Sequence, residues 1–411
     1  MVVVGGECAV TRRRSVSSQR NDDLLLDAGS AEIVAVGVDR LGMSAVARRA
    51  GLTTGALYSR YENVAELAAA VWTSRVRDQH RALLDIAIGA LVERDPSVAL
   101  DHLLDELRSP SPSTLLALEF LGTARRIDEL EEVVLVDVRE WLANWRAGPR
   151  SRDLRRRAQV IFTLAAVWGV VLHEMPSRRE LDWSEVTKSL RWSFKQPYAE
   201  PSQPLVPDRV GPVLADTGDA SQNALIDSVA SIAARVGFER ASATRIARRA
   251  GLTAGSIYAR YRTKEDLLQH AVEILLARRF TDDFIANSYT FSAADPGSAT
   301  ASVVGGYLTP PRREWRRFRI EAQLAARHRR QLALTLDGIQ EEAIGGYLDF
   351  LGAKTAEERR ALDIIARFAQ VIPLGLAFVD LVAPGIPGID WRLVLRPLLA
   401  PLAPLAPPAP G

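Results

Sequence analysis

Apolar residues recur along this chain with helical rather than strand spacing. Leu225, Ile226, Val229, Ile232, Ala233 and Val236 fall at i, i+1, i+4, i+7, i+8 and i+11, which puts them on one face of a helix. The stretch 200 residues earlier keeps that face less well, with Gly29 where Val229 stands. Two continuous apolar runs, 160–172 and 368–379, read as buried core helices. Each is too short for the roughly 20 residues a bilayer crossing needs. Breaks fall at Ser109-Pro110-Ser111-Pro112, Gly148-Pro149 and Met175-Pro176, and later at Thr309-Pro310-Pro311 and Pro384-Gly385. Alternating patterns are scarce. The spacing predicts an all-α chain with about nine helices in each half, one of them kinked at Pro373.

The halves are copies. ARRAGLTTGALYSRY at 47–61 and ARRAGLTAGSIYARY at 247–261 agree at eleven of fifteen positions. Leu25, Asp27, Val36, Gly37 and Arg40 recur as Leu225, Asp227, Val236, Gly237 and Arg240. Further on, Leu118-Glu119 and Ala124-Arg125 match Ile320-Glu321 and Ala326-Arg327 at an offset of 202, and Leu181-Asp182-Trp183 matches Ile389-Asp390-Trp391 at 208. Small loop insertions explain the drift, so a whole unit of roughly 200 residues is written twice. Between the copies, residues 196–222 hold five prolines and read as an exposed linker. The Pro/Ala-rich tail reads as extended or disordered.

The repeated stretch is a helix, a glycine turn and a second helix. Ser44 and Thr244 are placed to cap the first helix, which ends at Arg49 or Arg249. Gly51 and Gly251 stand where a left-handed residue is needed. Leu52 and Leu252 then plug the core. Thr53 and Thr253 cap a second helix running to Tyr61 or Tyr261. Its inward positions are Leu57/Ile257 and Tyr61/Tyr261, and its outward ones are Thr54/Ala254, Gly55/Gly255, Tyr58/Tyr258 and Arg60/Arg260. Such a helix can enter a major groove. Gly lets a phosphate backbone approach, Tyr donates to phosphate, and Arg brings charge and a bidentate fork.

On these residues the chain resembles the TetR family of bacterial transcriptional regulators. Residues 20–72 and 220–276 are similar to the family's three-helix DNA-binding head, with Arg60 and Arg260 in place of its His, and Tyr61 and Tyr261 in place of its Phe. A buried tyrosine hydroxyl then needs a partner. The family's lysine after the recognition helix is present as Lys264 but is Val64 in the first copy, which predicts unequal grip on DNA. The resemblance implies DNA contacts from Ser44, Thr53, Thr54, Gly55, Tyr58 and Arg60. In the second copy it implies Thr244, Arg245, Thr253, Ala254, Gly255, Tyr258, Arg260 and Lys264. It also implies a ligand-binding and dimerisation region behind each head, with helices 153–174, 183–195, 356–381 and 390–400 forming a four-helix bundle.

The organisation expected is a basic arm at 1–19, a first head at 20–72 and its ligand-binding/dimerisation domain at 73–195. A linker at 196–219, a second head at 220–276, a second such domain at 277–400 and a disordered tail at 401–411 follow. Family members are homodimers on palindromic sites. This chain is expected to carry both subunits as an intramolecular pseudo-dimer, its linker reaching up to roughly 80 Å at about 3.3 Å per residue. Tethering holds the halves at about millimolar effective concentration, and the heads would read half-sites roughly 34 Å apart. Arg12, Arg13 and Arg14 suit either a minor groove or solvent, with solvent favoured.

Bulk composition narrows the rest. A net charge of +2 over 411 residues means any nucleic-acid partner must be met by a local patch. One cysteine, Cys8, allows neither an internal disulfide nor a thiolate cluster, and the N-terminus lacks a signal-peptide pattern. A cytoplasmic location without a membrane partner is expected. His80, His102, His173, His270 and His328 are scattered, expected at the surface or hydrogen-bonded. No metal, cofactor or catalytic residue is expected, and the chain is not read as an enzyme. Among the aromatics, core packing is favoured, while Phe120, Trp145, Phe162, Trp168, Phe318, Phe350 and Phe368 are candidates for a ligand cavity. The function expected is a transcriptional repressor of double-stranded operator DNA, released by a small apolar effector. The alternative is a small-molecule-binding helical protein with vestigial DNA binding.

Overall fold

The computed structural model describes residues 16–93, 95, 100–177, 179–198, 201, 203–277, 295–383 and 385–400, without the side chains of residues 16–18 and Phe350. Cys8, Arg12 to Arg14, the tail from 401 onward and the candidate Phe350 side chain thus lie outside the described residues. In the first copy the helices are α1 (Val16–Val36), α2 (Met43–Arg49), α3 (Thr54–Tyr58), α4 (64–93), α5 (Leu100–Arg108), α6 (Pro112–Thr123), α7 (128–144), α8 (Leu154–Glu174) and α9 (Ser184–Ser193). In the second they are α10 (Ala220–Arg240), α11 (Ala243–Arg249), α12 (Ala254–Tyr258), α13 (264–277), α14 (Pro296–Tyr307), α15 (Arg313–Ala326), α16 (Arg330–Phe350), α17 (Ala356–Val382) and α18 (Arg392–Leu399). Among the described residues each copy therefore shows nine helices and no strand.

The copies fold against each other through α8 and α17, with α9 and α18 packed alongside. Gly169 and Gly375 set this crossing. A Cβ on Gly375 would lie 1.8 Å from the Ala165 carbonyl oxygen, and one on Gly169 would lie 2.5 Å from that of Val371. The contact is reciprocal: at an offset of 206 residues, Gly169 corresponds to Gly375 and Ala165 to Val371. Reciprocity of this kind is the signature of a two-fold interface, here written within one chain. Phe162 meets its counterpart Phe368 across the same axis, ring centroids 6.4 Å apart. One continuous apolar core takes in most of the first copy together with α17 and α18, while the second head has a core of its own.

Polar contacts repeat the symmetry nearer the heads. Asp39 pairs with Arg240 at 3.5 Å, and Arg40 with Glu239 at 3.7 Å. Deeper in, Glu119 meets His328 at 2.8 Å while Glu321 meets Arg126 at 3.1 Å, so one position is histidine in one copy and arginine in the other. Gly37 and Gly237, with φ of 83° and 79°, end the first helical stretch of each head, and the opposite copy's His328 or Arg126 packs on them. Each body thus touches the other copy's head.

Three expectations change in the folded chain. The linker is not a free tether: its Asp208 N–H donates to Ser302 in α14, Arg392 in α18 donates to the Gln203 carbonyl, and the Ala215 N–H donates to Asp227. Prolines deny it helix, yet its backbone finds partners on the second copy. The apolar run around Pro373 belongs to a 27-residue helix, the one among the described residues long and apolar enough to cross a membrane by length and composition. Packing against α8 accounts for that composition, since 61% of its apolar window is buried inside the protein. His80 is buried and lies stacked on Trp168 at 5.8 Å, and among the described residues neither ring nitrogen has a hydrogen-bond partner.

Burial pushes the His80 imidazole down from 6.5 to about 4. The unfolded chain therefore takes up a proton between these values that the folded chain refuses. The contribution of neutral His80 is complete above pH 6.5 and is lost as pH falls towards 4. We expect this residue to cost about 2 kcal/mol of stability at pH 5 relative to pH 8. Denaturant unfolding of His80→Phe at both pH values checks it: equal pH dependence in the two proteins would remove the assignment.

Candidate DNA-binding surface

Each head presents its second helix by the same local chemistry. Gly51 and Gly251 adopt φ of 67° and 71° after α2 and α11, and the Leu52 and Leu252 N–H groups donate back to Ala47 and Ala247 at 3.0 and 2.9 Å. This closes the preceding helix with a left-handed residue, as the sequence predicts. Thr53 Oγ1 then accepts from the Ala56 N–H at 3.2 Å, and Thr253 Oγ1 from Ser256 at 3.3 Å, capping α3 and α12. Leu57 and Ile257 are fully buried and pin the helices to the core. Tyr58 and Tyr258 point the other way, both 56% exposed.

The structure corrects several details. Ser44 and Thr244 are not caps, because α2 and α11 begin one residue before them. The cap in the second copy is Ser242, whose hydroxyl accepts from Arg245 at 3.3 Å; Gly42, its equivalent, has no side chain to offer. Ser44 and Thr244 remain exposed on the first turn. The recognition helices end at Tyr58 and Tyr258 rather than at position 61 or 261, each only five residues long. Tyr61 and Tyr261 are half-buried behind them, and the Tyr261 hydroxyl finds partners in Gln222 at 3.1 Å and His270 at 2.9 Å.

Arg60 and Arg260 are less free than their outward register implies. Arg60 is ion-paired with Asp22 and also donates to the Ala56 carbonyl at 2.8 Å, while Arg260 meets Asp219 at 3.2 Å. Asp22 lies in the second turn of α1 and Asp219 is the N-cap of α10, the first helix of each head, 38 and 41 residues away. The arginines thus brace the recognition helix against that helix. Gly55 and Gly255, by contrast, meet no side chain but their own cap threonine, at 3.9 and 3.6 Å. Packing leaves room for a Cβ at both, so the fold itself does not require glycine there. Arg48, Arg49, Arg248 and Arg249 at the end of α2 and α11 are exposed beside this surface. Their position on the first helix of the motif, which crosses the phosphate backbone in such folds, is the sequence signal that points to them.

The aromatic candidates for a ligand cavity mostly turn out to be core. Phe120 packs edge-on against Trp72 at 5.7 Å, Trp168 lies between His80 and Phe378, and Phe318 stacks on Phe238 at 5.6 Å. Phe162 and the half-buried Phe368 meet each other. Among the described candidate side chains, Trp145 lines a cleft of about 640 Å³ between α4, α7 and the start of α8. Its walls are polar: Arg81, Glu93, Arg146 and Arg156 stand around Asp85, which accepts the indole N–H of Trp141 at 2.9 Å and of Trp145 at 2.6 Å. Arg146 holds φ 56°, the positive-φ residue other than glycine among the described residues.

Two helix-turn-helix heads on one helical, internally two-fold body define a DNA-binding regulator of transcription. The family model described as "Bacterial regulatory proteins, tetR family" matches residues 25–71 and again residues 225–271. Among curated proteins, the HTH-type transcriptional regulator SrpR of Pseudomonas putida is 30% identical over 101 residues, which cover 25% of this chain and 46% of that protein. The uncharacterized HTH-type transcriptional regulator TtgW, also of Pseudomonas putida, is likewise 30% identical over 101 residues, covering 25% of this chain and 73% of TtgW. The chain therefore spans under half the length of one relative and about three quarters of the other. It belongs to the TetR family, with two copies of the family's DNA-binding domain on a single polypeptide.

Proposed function

We propose that this regulator is a repressor that grips operator DNA with both of its own heads, as a one-chain counterpart of a homodimer, and lets go when a small effector binds. The observation that carries the DNA contact is the matched pair Tyr58 and Tyr258. Both lie on capped helices, both are half exposed, and both stand beside a glycine that packing does not demand. The cross-pairs Asp39–Arg240 and Arg40–Glu239 hold the heads to each other, as two half-sites on one duplex require. Thr53, Thr54, Gly55 and their counterparts would follow the backbone, with helix N-termini adding attraction for phosphate.

An effector would act by favouring one spacing of the heads, which needs only a few kcal/mol of differential affinity. The polar cleft around Trp145 suits a ligand bearing charged or hydrogen-bonding groups better than the apolar effector expected from sequence. On this reading the protein would work in the cytoplasm, where its operator would lie.

A gel shift with duplex from immediately upstream of its own coding sequence tests the DNA reading. Because the Tyr58 and Tyr258 hydroxyls lie at an exposed surface, replacing both tyrosines by Phe should leave the melting temperature unchanged. It should weaken binding by roughly tenfold or more, at about 1 kcal/mol per lost hydrogen bond. Unaltered affinity would take these residues out of the interface.

A further inference from the structure

We propose that the two heads recognise unlike half-sites, so that the operator has a direction, with the second head serving as the electrostatic anchor. This rests on the DNA-binding reading above and extends it to what kind of site is bound.

The scaffold presents the heads alike, but the chemistry they carry is different. Arg245 is exposed, its guanidinium donating to the Arg240 carbonyl at 3.4 Å, where the first head has Ala45. Arg49 is held by Glu32 at 2.9 Å. Its counterpart Arg249 faces a helix bearing Ile232 at that position and has no acidic partner among the described residues. Exposed Arg262 replaces exposed Glu62, and Lys264, 3.5 Å from Glu265, replaces Val64. Between 43 and 66 the first head carries three cations and two acids; between 243 and 266 the second carries six and two. Phosphate contacts of this kind supply grip without reading sequence.

The hydroxyls that could read base edges are also rearranged. The first recognition segment offers Thr54 and Ser59, where the second has Ala254 and Ala259. The second offers Ser256 in place of Ala56, its hydroxyl 3.1 Å from that of Thr253. Different donors and acceptors at equivalent places select different bases. A homodimer must present the same chemistry twice. Two copies on one chain are free of that constraint, and here the differences fall on exposed or half-buried positions, while the buried position stays aliphatic as Leu57 or Ile257 and the glycine turns are kept.

The test uses the full chain in two measurements. Selection of bound sites from a pool of random duplex DNA should return two different half-sites in fixed order; a palindromic consensus would overturn the proposal. Affinity for random-sequence duplex as a function of salt should then report the anchor. Each phosphate contact contributes about 0.9 to the logarithmic salt slope, so the triple variant Arg245→Ala, Arg262→Ala, Lys264→Ala should flatten it by about 2.7. The loss of affinity between 50 and 200 mM salt would then shrink by roughly 40-fold. The reverse variant, Ala45→Arg, Glu62→Arg, Val64→Lys, should steepen the slope, and guards against a triple variant that folds poorly. Unchanged slopes in both would overturn the anchor. A wild-type chain that selects no duplex at all overturns the underlying DNA reading instead, a distinct result.

Discussion

Gly375→Ala should destabilise this protein by more than about 3 kcal/mol. The new methyl would sit 1.8 Å from the backbone oxygen of Ala165, inside any van der Waals contact. The obstacle is main chain in the middle of a 21-residue helix, which cannot swing aside as a side chain would. Overpacking a core commonly costs about 1–3 kcal/mol even where side chains can yield, and here α8 and α17 must move apart as bodies. Separation uncovers the apolar faces that join the two copies, so the variant should also self-associate. Thermal melting and gel filtration would show both effects. Gly346→Ala, on α16 with nothing within 4 Å of the added Cβ, is the control, expected to be neutral or slightly stabilising. A Gly375→Ala protein that melts with the wild type would mean the helices do not cross where the structure places them.

Arg126→Met is the second large effect, expected at about 3–5 kcal/mol near pH 8. Arg126 is buried between Asp39 of its own head and Glu321 of the opposite body, 3.1 Å from each. Burial pushes the Glu321 carboxyl up to about 7 against the pull of Arg126, and raises Asp39 as well. Removing the guanidinium leaves two buried carboxyl groups facing one another, the costly way to break a buried ion pair. Protonation relieves that repulsion, so the deficit should shrink towards pH 5, and Arg126→Met with Glu321→Gln should recover part of it. Chemical denaturation at the two pH values measures this. A deficit independent of pH would point to lost packing rather than to charge.

The functional consequence differs from that of Gly375→Ala. Arg126 also packs on Gly237, at the end of the second head's first helical stretch, so it joins both heads and one body. Its loss should loosen the spacing of the recognition helices and weaken operator binding under conditions where the chain stays folded. Glu119, with His328 at 2.8 Å and Arg327 at 3.4 Å, holds the matching place on the other side.

Much of this molecule is legible along the chain because it is local. The left-handed Gly51 and Gly251, the Thr53 and Thr253 caps and the buried Leu57 and Ile257 each depend on residues within about one helical turn, and the duplication shows when the chain is laid against itself. Spacing and side-chain type decide them without reference to distant partners. Where competing local choices are close, spacing alone misses the register. Ser242 rather than Thr244 caps α11, since the residue before the first helical turn, not one within it, can turn its hydroxyl to a free N–H.

The remainder was decided by contacts between distant segments. Arg60 and Arg260 look like outward phosphate ligands until the chain brings Asp22 and Asp219 beside them. The linker reads as free because its prolines forbid helix, yet the second copy supplies the hydrogen-bond partners its backbone needs. For Phe120, Phe162, Trp168 and Phe318 the sequence favours core but leaves a cavity wall open, and only the packing of one helix on another fills the space between them. Sequence alone determined that two DNA-binding heads exist and which short helix each offers. Tertiary structure alone decided how the copies meet, because the glycines at 169 and 375 and the ion pairs of Arg126 and Glu119 matter only opposite residues some 200 positions away.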